Sequence, residues 1–208
     1  MFLLVFFILI SHSSANSVFD FCVANLSLPN GPEGYACKDP KRVTADDFVY
    51  SGLAIPNNAK NSSSSIPFLQ TVETTQFPGL NGMGISIARG QLKVGEIVPI
   101  HIHRVCEVLY VIEGTIGAAF IDTNNTAYYK TLNKGEMIVF PPALMHFPFN
   151  VGSIPALTYS TFASENPGRQ FVNNALFGGK LPSDLVEKIT LLDHAQVQKL
   201  KKIFGGTN

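Results

Sequence analysis

The chain has 208 residues, of which 46% are hydrophobic and 14% charged, with fifteen Lys+Arg balancing fifteen Asp+Glu. A charged share below the roughly 25% of an average domain excludes a disordered polyelectrolyte. The zero balance argues against a dedicated nucleic-acid surface, which shows as a basic excess. Sixteen Phe, 6 Tyr, 17 Gly and 13 Pro without any Trp point to a β-rich chain with many short connections.

The chain opens on Met1-Phe-Leu-Leu-Val-Phe-Phe-Ile-Leu-Ile10, followed by small polar residues from Ser11 to Ser14 and by Ala15. The apolar run is too short for a bilayer span, which takes about twenty residues. It has the form of a secretory signal peptide over residues 1–15, cleaved near Ala15, although a basic n-region is missing. Residues 16–208 then form one exported domain, and the cysteines enter an oxidising compartment. Cys22 and Cys37 flank a segment rich in Pro and Gly (Pro29, Gly31, Pro32, Gly34), a loop suited to closure by a disulfide. Such a bridge stabilises by about 3 kcal/mol in the chain-entropy model. Cys106 is the odd thiol, either buried and inert or open to pairing between chains. Asn25, Asn61 and Asn124 each begin an N-glycosylation sequon.

From Phe48 to about Asn150, short apolar or alternating runs are separated by Gly, Pro and Asn. Met83–Ala88, Glu107–Ile112, Ile116–Ile121, Ala127–Leu132, Met137–Phe140 and, further on, Ala156–Phe162 read as strands of an antiparallel sandwich or barrel spanning about 48–165. A helical tail over about 166–204 follows. Asn166-Pro167 reads as the start of a helix running through Phe171 and Ala175 to Gly178-Gly179. A second helix starts at Ser183, and a third at Asp193 with Gln196 in capping-box position. The third carries Val197, Leu200, Ile203 and Phe204 as an apolar stripe, placed either on the chain's own barrel or on a neighbouring subunit.

Beyond the signal segment only four histidines remain, and three fall in the β region: His101, His103 and His146. His101 and His103 are two apart, so on a strand both rings leave one face. Glu107 has the same parity and joins that face if the strand continues, or is delivered by an intervening turn. A buried carboxylate needs a cation or strong donors, so histidines with this spacing and a following glutamate read as metal ligands. Three imidazoles and one carboxylate leave positions open for water or substrate. Such a donor set suits redox metals such as manganese or iron better than structural zinc.

The run Gly95-x5-His101-x-His103-x3-Glu107-x6-Gly114 resembles the first cupin motif. Gly135-x5-Pro141-x-Ala143-x2-His146-x3-Asn150 resembles the second, with Ala143 where that family has Gly. Together with the leader, the Cys22/Cys37 pair and the helical tail, the chain resembles plant germin-like proteins over the whole mature length. The resemblance implies a double-stranded β-helix, or jelly-roll barrel, with His101, His103, Glu107 and His146 around one manganese. It also implies trimers of dimers held by the C-terminal helices, and a place in the apoplast or cell wall, in defence or wall modification.

In oxalate-oxidising germins, asparagines near the metal help hold oxalate. Asn81 matches one such position, but Val98 stands where the other is expected, and a valine donates nothing to a carboxylate. The expectation is therefore redox activity of the superoxide dismutase type, with the metal itself as catalyst, and not oxalate oxidation. The alternative is a non-enzymatic protein: a metal-stabilised receptor, a binder of small auxin-like ligands or a structural component of the wall.

Overall fold

The computed structural model describes residues 20–54 and 68–207, so the proposed signal segment, Asn61 and its sequon lie outside the described residues. Ten strands form two five-stranded sheets. The first has the order β1 (Phe68–Val72), β2 (Ser86–Leu92), β9 (Ala156–Phe162), β4 (Glu107–Glu113), β7 (Met137–Phe140). The second runs β10 (Gln170–Phe171), β3 (His101–Ile102), β8 (Met145–Asn150), β5 (Thr115–Ile121), β6 (Ala127–Asn133). All pairings between these strands are antiparallel. Neighbours such as β2 and β9 are far apart in sequence, which is the jelly-roll solution to joining two sheets.

Alternation along the strands makes the core. Leu92, Leu109, Val111, Ile116, Ala118, Leu132, Phe140 and Ala156 point between the sheets and form one buried cluster. Fully burying a side chain of the Leu or Phe kind contributes about 1.5–3 kcal/mol, so the sandwich is held mainly from within. Cys22 and Cys37 are joined in a disulfide, with S–S 2.06 Å. Asn81 fastens this N-terminal loop to the barrel. Its amide oxygen accepts from the Tyr35 amide at 3.1 Å, and its amide nitrogen donates to the Tyr35 carbonyl at 2.9 Å.

Several expectations need correction. Residues Ala45–Phe48 form a short 3-10 turn, and the first described strand begins only at Phe68. The run expected at Met83–Ala88 pairs as Ser86–Leu92 instead. Asn166 does not cap a helix. Arg104 Nη2 donates to its carbonyl at 2.9 Å and to its side-chain oxygen at 3.1 Å, while the Arg104 amide donates to the Pro167 carbonyl. Gly168 follows in the left-handed region at φ 65. The chain then runs through β10, and α1 spans Val172–Phe177 only.

The helices α2 (Ser183–Thr190) and α3 (His194–Phe204) begin where the sequence places them. Asp193 caps α3, its side chain accepting from the Gln196 amide while the Gln196 side chain returns to the Asp193 amide. Most of the apolar stripe of α3 packs within the helical tail and not on the barrel. Val197, Leu200 and Phe204 join Phe177 and Val186 in a separate cluster among the three helices, and Ile203 is left exposed.

Candidate metal centre

Three elements deliver the four residues singled out in the sequence. His101 opens β3, and His146 stands directly across from it on β8. His103 lies just past the end of β3, in the turn toward β4. Glu107 is the first residue of β4, paired with Phe140 and Phe162 in the opposite sheet. A turn, not a continuous strand, therefore brings Glu107 to the histidines. The cluster bridges the two sheets inside the barrel, and each of the four residues is at most 5% exposed.

One donor atom from each residue can be chosen so that all four lie within 4.8 Å of one another. Glu107 Oε2 is 3.3 Å from His103 Nε2 and 3.2 Å from His146 Nε2. With metal–nitrogen bonds of about 2.1 Å, neighbouring ligands at right angles stand about 3.0 Å apart and opposed ones about 4.2 Å. The spacing fits a metal ion.

Hydrogen bonding argues the same way. His101 Nδ1 lies 2.8 Å from the Pro99 carbonyl, and His146 Nδ1 lies 2.8 Å from the Leu144 carbonyl. A carbonyl only accepts, so both rings carry hydrogen on Nδ1 and turn Nε2 inward, the orientation that outer contacts impose on metal-binding histidines. In the neutral ring, His146 Nε2 and Glu107 Oε2 are then two acceptors facing each other, a contact that a cation between them satisfies. His103 Nδ1 is buried and finds no hydrogen-bond partner among the described residues. An aromatic ring packs against each imidazole and limits its rotation: Phe171 on His101, Phe162 on His103 and Phe140 on His146.

Burial lowers the His101 pKa to about 3, with repulsion from His146 adding to it, which keeps its Nε2 lone pair free. Burial pushes the Glu107 carboxyl up, but its polar contacts with His103, His146 and Ser160 outweigh burial and hold the group well below the usual carboxylate range. Three imidazoles and a carboxylate form a donor set suited to a borderline divalent cation.

The cavity beside these residues measures about 30 Å³, and its walls include Leu92, Val98, Leu109, Thr158, Ser160 and Phe162. A cavity holds a water from about 10–15 Å³ of such space, so there is room here for one or two small molecules such as water. Val98 is one of its apolar walls, and Asn81 is not among its lining residues. The expected place of Asn81 beside the metal is thus corrected: both ends of its amide are engaged by Tyr35, and its nitrogen also lies 3.2 Å from Cys22 Sγ.

Arg169 also lines the cavity, and sequence reasoning passed it over. It belongs to no motif, and only the pairing of β10 with β3 brings it there. Ala143, at φ 59, takes the left-handed conformation for which a glycine is usual. Cys106 is a free, half-buried thiol outside the ligand cluster. Asn25 is half-buried, its side-chain oxygen accepting from Ser27, and Asn124 is exposed in the β5–β6 turn.

The family profile described as Cupin matches residues 51–198. The chain is 49% identical to an auxin-binding protein of Prunus persica, over 98% of this chain and 96% of that protein. It is 46% identical to germin-like protein subfamily 3 member 3 of Arabidopsis thaliana, over 98% and 97% of the two chains. Among solved structures, recombinant oxalate oxidase in complex with glycolate is similar, with a TM-score of 0.85 at 31% identity, covering 92% of this chain and 98% of that one. Barrel, ligand cluster and sequence agree: the chain belongs to the cupin family and, within it, to the germin-like proteins.

Proposed function

We propose that this is a secreted, manganese-holding redox protein of the plant apoplast, acting on superoxide in defence or cell-wall modification. The observation that carries the reading is the buried cluster of His101, His103, Glu107 and His146, with two acceptors 3.2 Å apart at its centre. These four residues would hold the ion, which supplies one-electron chemistry when bound. Manganese is favoured over iron by the germin-like relationship; the donor set suits both.

In dismutation one superoxide is oxidised to dioxygen, while a second takes up that electron and two protons to become hydrogen peroxide. The protein's part is to fix the imidazoles, keep Glu107 ionised and restrict entry by size. A cavity of about 30 Å³ accommodates superoxide and disfavours oxalate. Export is supported by the apolar leader, the Cys22–Cys37 bridge and the exposed sequon at Asn124. No helix among the described residues is long and apolar enough to cross a membrane. A homo-oligomer, a hexamer built as a trimer of dimers, is supported by apolar side chains left on the outside of the helical tail: Leu185, Ile189, Leu191 and Ile203.

A second reading, binding of a small auxin-like ligand without turnover, has an observation of its own. A polar cleft of about 370 Å³ lined by Tyr35, Glu73, Asn81, Arg104 and Asn166 lies apart from the ligand cluster and is large enough for an organic acid.

The deciding experiment measures superoxide dismutation and metal content on one sample of protein secreted from eukaryotic cells, beside His103→Ala. Manganese-dependent activity that disappears with the metal in His103→Ala is expected. Full activity in a metal-free His103→Ala protein overturns the reading. Stoichiometric manganese without activity leaves ligand binding as the account.

A further inference from the structure

The metal pocket contains a permanent cation that the ligand set does not explain. Arg169 lines the same cavity as His101, His103 and Glu107, yet the residue as a whole is solvent-exposed, so its side chain links the cavity to solvent. Its guanidinium carbon lies 5.1 Å from the centre of the Phe171 ring, and that ring packs on His101 at 5.5 Å between centroids. Among the described residues none accepts a hydrogen bond from this guanidinium, which leaves its planar fork of donors open.

Two carboxylates interact electrostatically with Arg169: Glu73 and Glu107. Glu107 is committed to the histidines. Around a divalent ion, three neutral imidazoles and one carboxylate sum to a single positive charge, so a loaded centre adds to the field of Arg169 and does not cancel it. Glu73 remains as a partial counter-charge. Apolar walls at Leu92, Val98 and Leu109 keep the local dielectric low, a setting in which one sign of charge is focused along a cleft.

We propose that Arg169 is the specificity-determining residue of this pocket, drawing small monoanions of two or three atoms to the metal centre and holding them at its mouth. This rests on the reading of the cluster as a metal centre and names the substrate class that such a centre admits. Size is set by the cavity of about 30 Å³ and charge by the arginine.

The test titrates azide, a small monoanion, into manganese-loaded wild-type protein, Arg169→Gln and Arg169→Lys, at low and high ionic strength. Binding is followed by the manganese electron paramagnetic resonance signal and expressed per manganese bound, with melting temperature recorded for each. Steering by one charge in a low-dielectric cleft amounts to about tenfold or more. Azide affinity is therefore expected to fall by about that factor in Arg169→Gln, to stay within about threefold in Arg169→Lys, and to lose most of its salt dependence only in Arg169→Gln. Equal affinity and equal salt dependence in wild type and Arg169→Gln overturn the inference. So does wild-type binding that ignores salt or does not occur, an outcome readable even if the glutamine variant fails to fold. Arg169-dependent azide binding without dismutation keeps the inference and removes the dismutase reading; dismutation with unchanged azide affinity in Arg169→Gln does the reverse.

Discussion

Ala143 sits at φ 59, and its amide donates at 2.8 Å to the carbonyl of His103. The residue therefore couples the turn before His146 to the turn after β3. An L-residue in the left-handed region costs roughly 1–2 kcal/mol, and a glycine there gives back about 0.5–1 kcal/mol through its freer unfolded chain. Ala143→Gly is expected to raise stability by about 0.5–1 kcal/mol, a melting shift of about 2 °C in a chain of this size, with metal content unchanged. Calorimetry on the metal-free protein checks it; a lower melting temperature would mean that the alanine methyl makes a compensating contact. At this scale the sequence was informative about the cluster: His101, His103, Glu107 and His146, singled out by their spacing, come together as buried neighbours, with a turn and not the strand period delivering Glu107. Arg169 was not legible. Its approach to the site depends on β10 pairing with β3 across a sequence gap that contains most of the barrel.

Among the elements, the disulfide loop depends on one buried side chain. Asn81, 3% exposed, hydrogen-bonds both backbone groups of Tyr35, and Gly34 at φ 93 lets the loop pass close over it. Removing the amide leaves buried backbone groups without partners, at about 1–3 kcal/mol. Asn81→Ala should lower the unfolding free energy by that amount in a denaturant titration, while the metal content measured on the same protein stays at the wild-type level. Loss of metal in this variant would return Asn81 to the centre from which its geometry removes it. The α1 start shows why a local signal fails. Asn166-Pro167 has the chemistry of a helix cap, but Arg104 takes both oxygens of Asn166 and the left-handed Gly168 turns the chain away. The Asp193–Gln196 box of α3 has no such competitor and forms as written. Strands read from alternation agree with β4 to β9 to within a residue or so, while the run expected at Met83–Ala88 is displaced to Ser86–Leu92 and the stretch Ala45–Phe48 is a 3-10 turn.

For the whole molecule, the unusual feature is the outside of the helical tail. Leu191 is 91% exposed and Ile203 62%, while the inner sides of the same helices close their own cluster. Leu191 also holds φ 59 at the end of α2, a conformation that suits glycine better than a branched side chain. Side chains of this kind are retained in water at no benefit to a lone chain, and they fit a surface covered by another copy. Leu191→Asp combined with Ile203→Asp is expected to shift sedimentation to a smaller species with the metal site intact. An unchanged sedimentation coefficient would place a subunit contact elsewhere, for which Tyr110, Met137 and Val139 on the first sheet are one further exposed apolar group. The sequence carried the stripe of α3 but not its partner, since helical spacing identifies an apolar face and says nothing of what covers it.

The narrowness of the cavity has a consequence for how the protein is made. His101, His103, Glu107 and His146 are each at most 5% exposed, and the water-accessible space beside them is about 30 Å³, so a fully hydrated ion does not reach them intact. Entry into the finished barrel requires the ion to shed its shell or the sheets to part. For a metal held as proposed, capture while β3, β4 and β8 are still closing would tie the identity of the ion to what the compartment of folding offers.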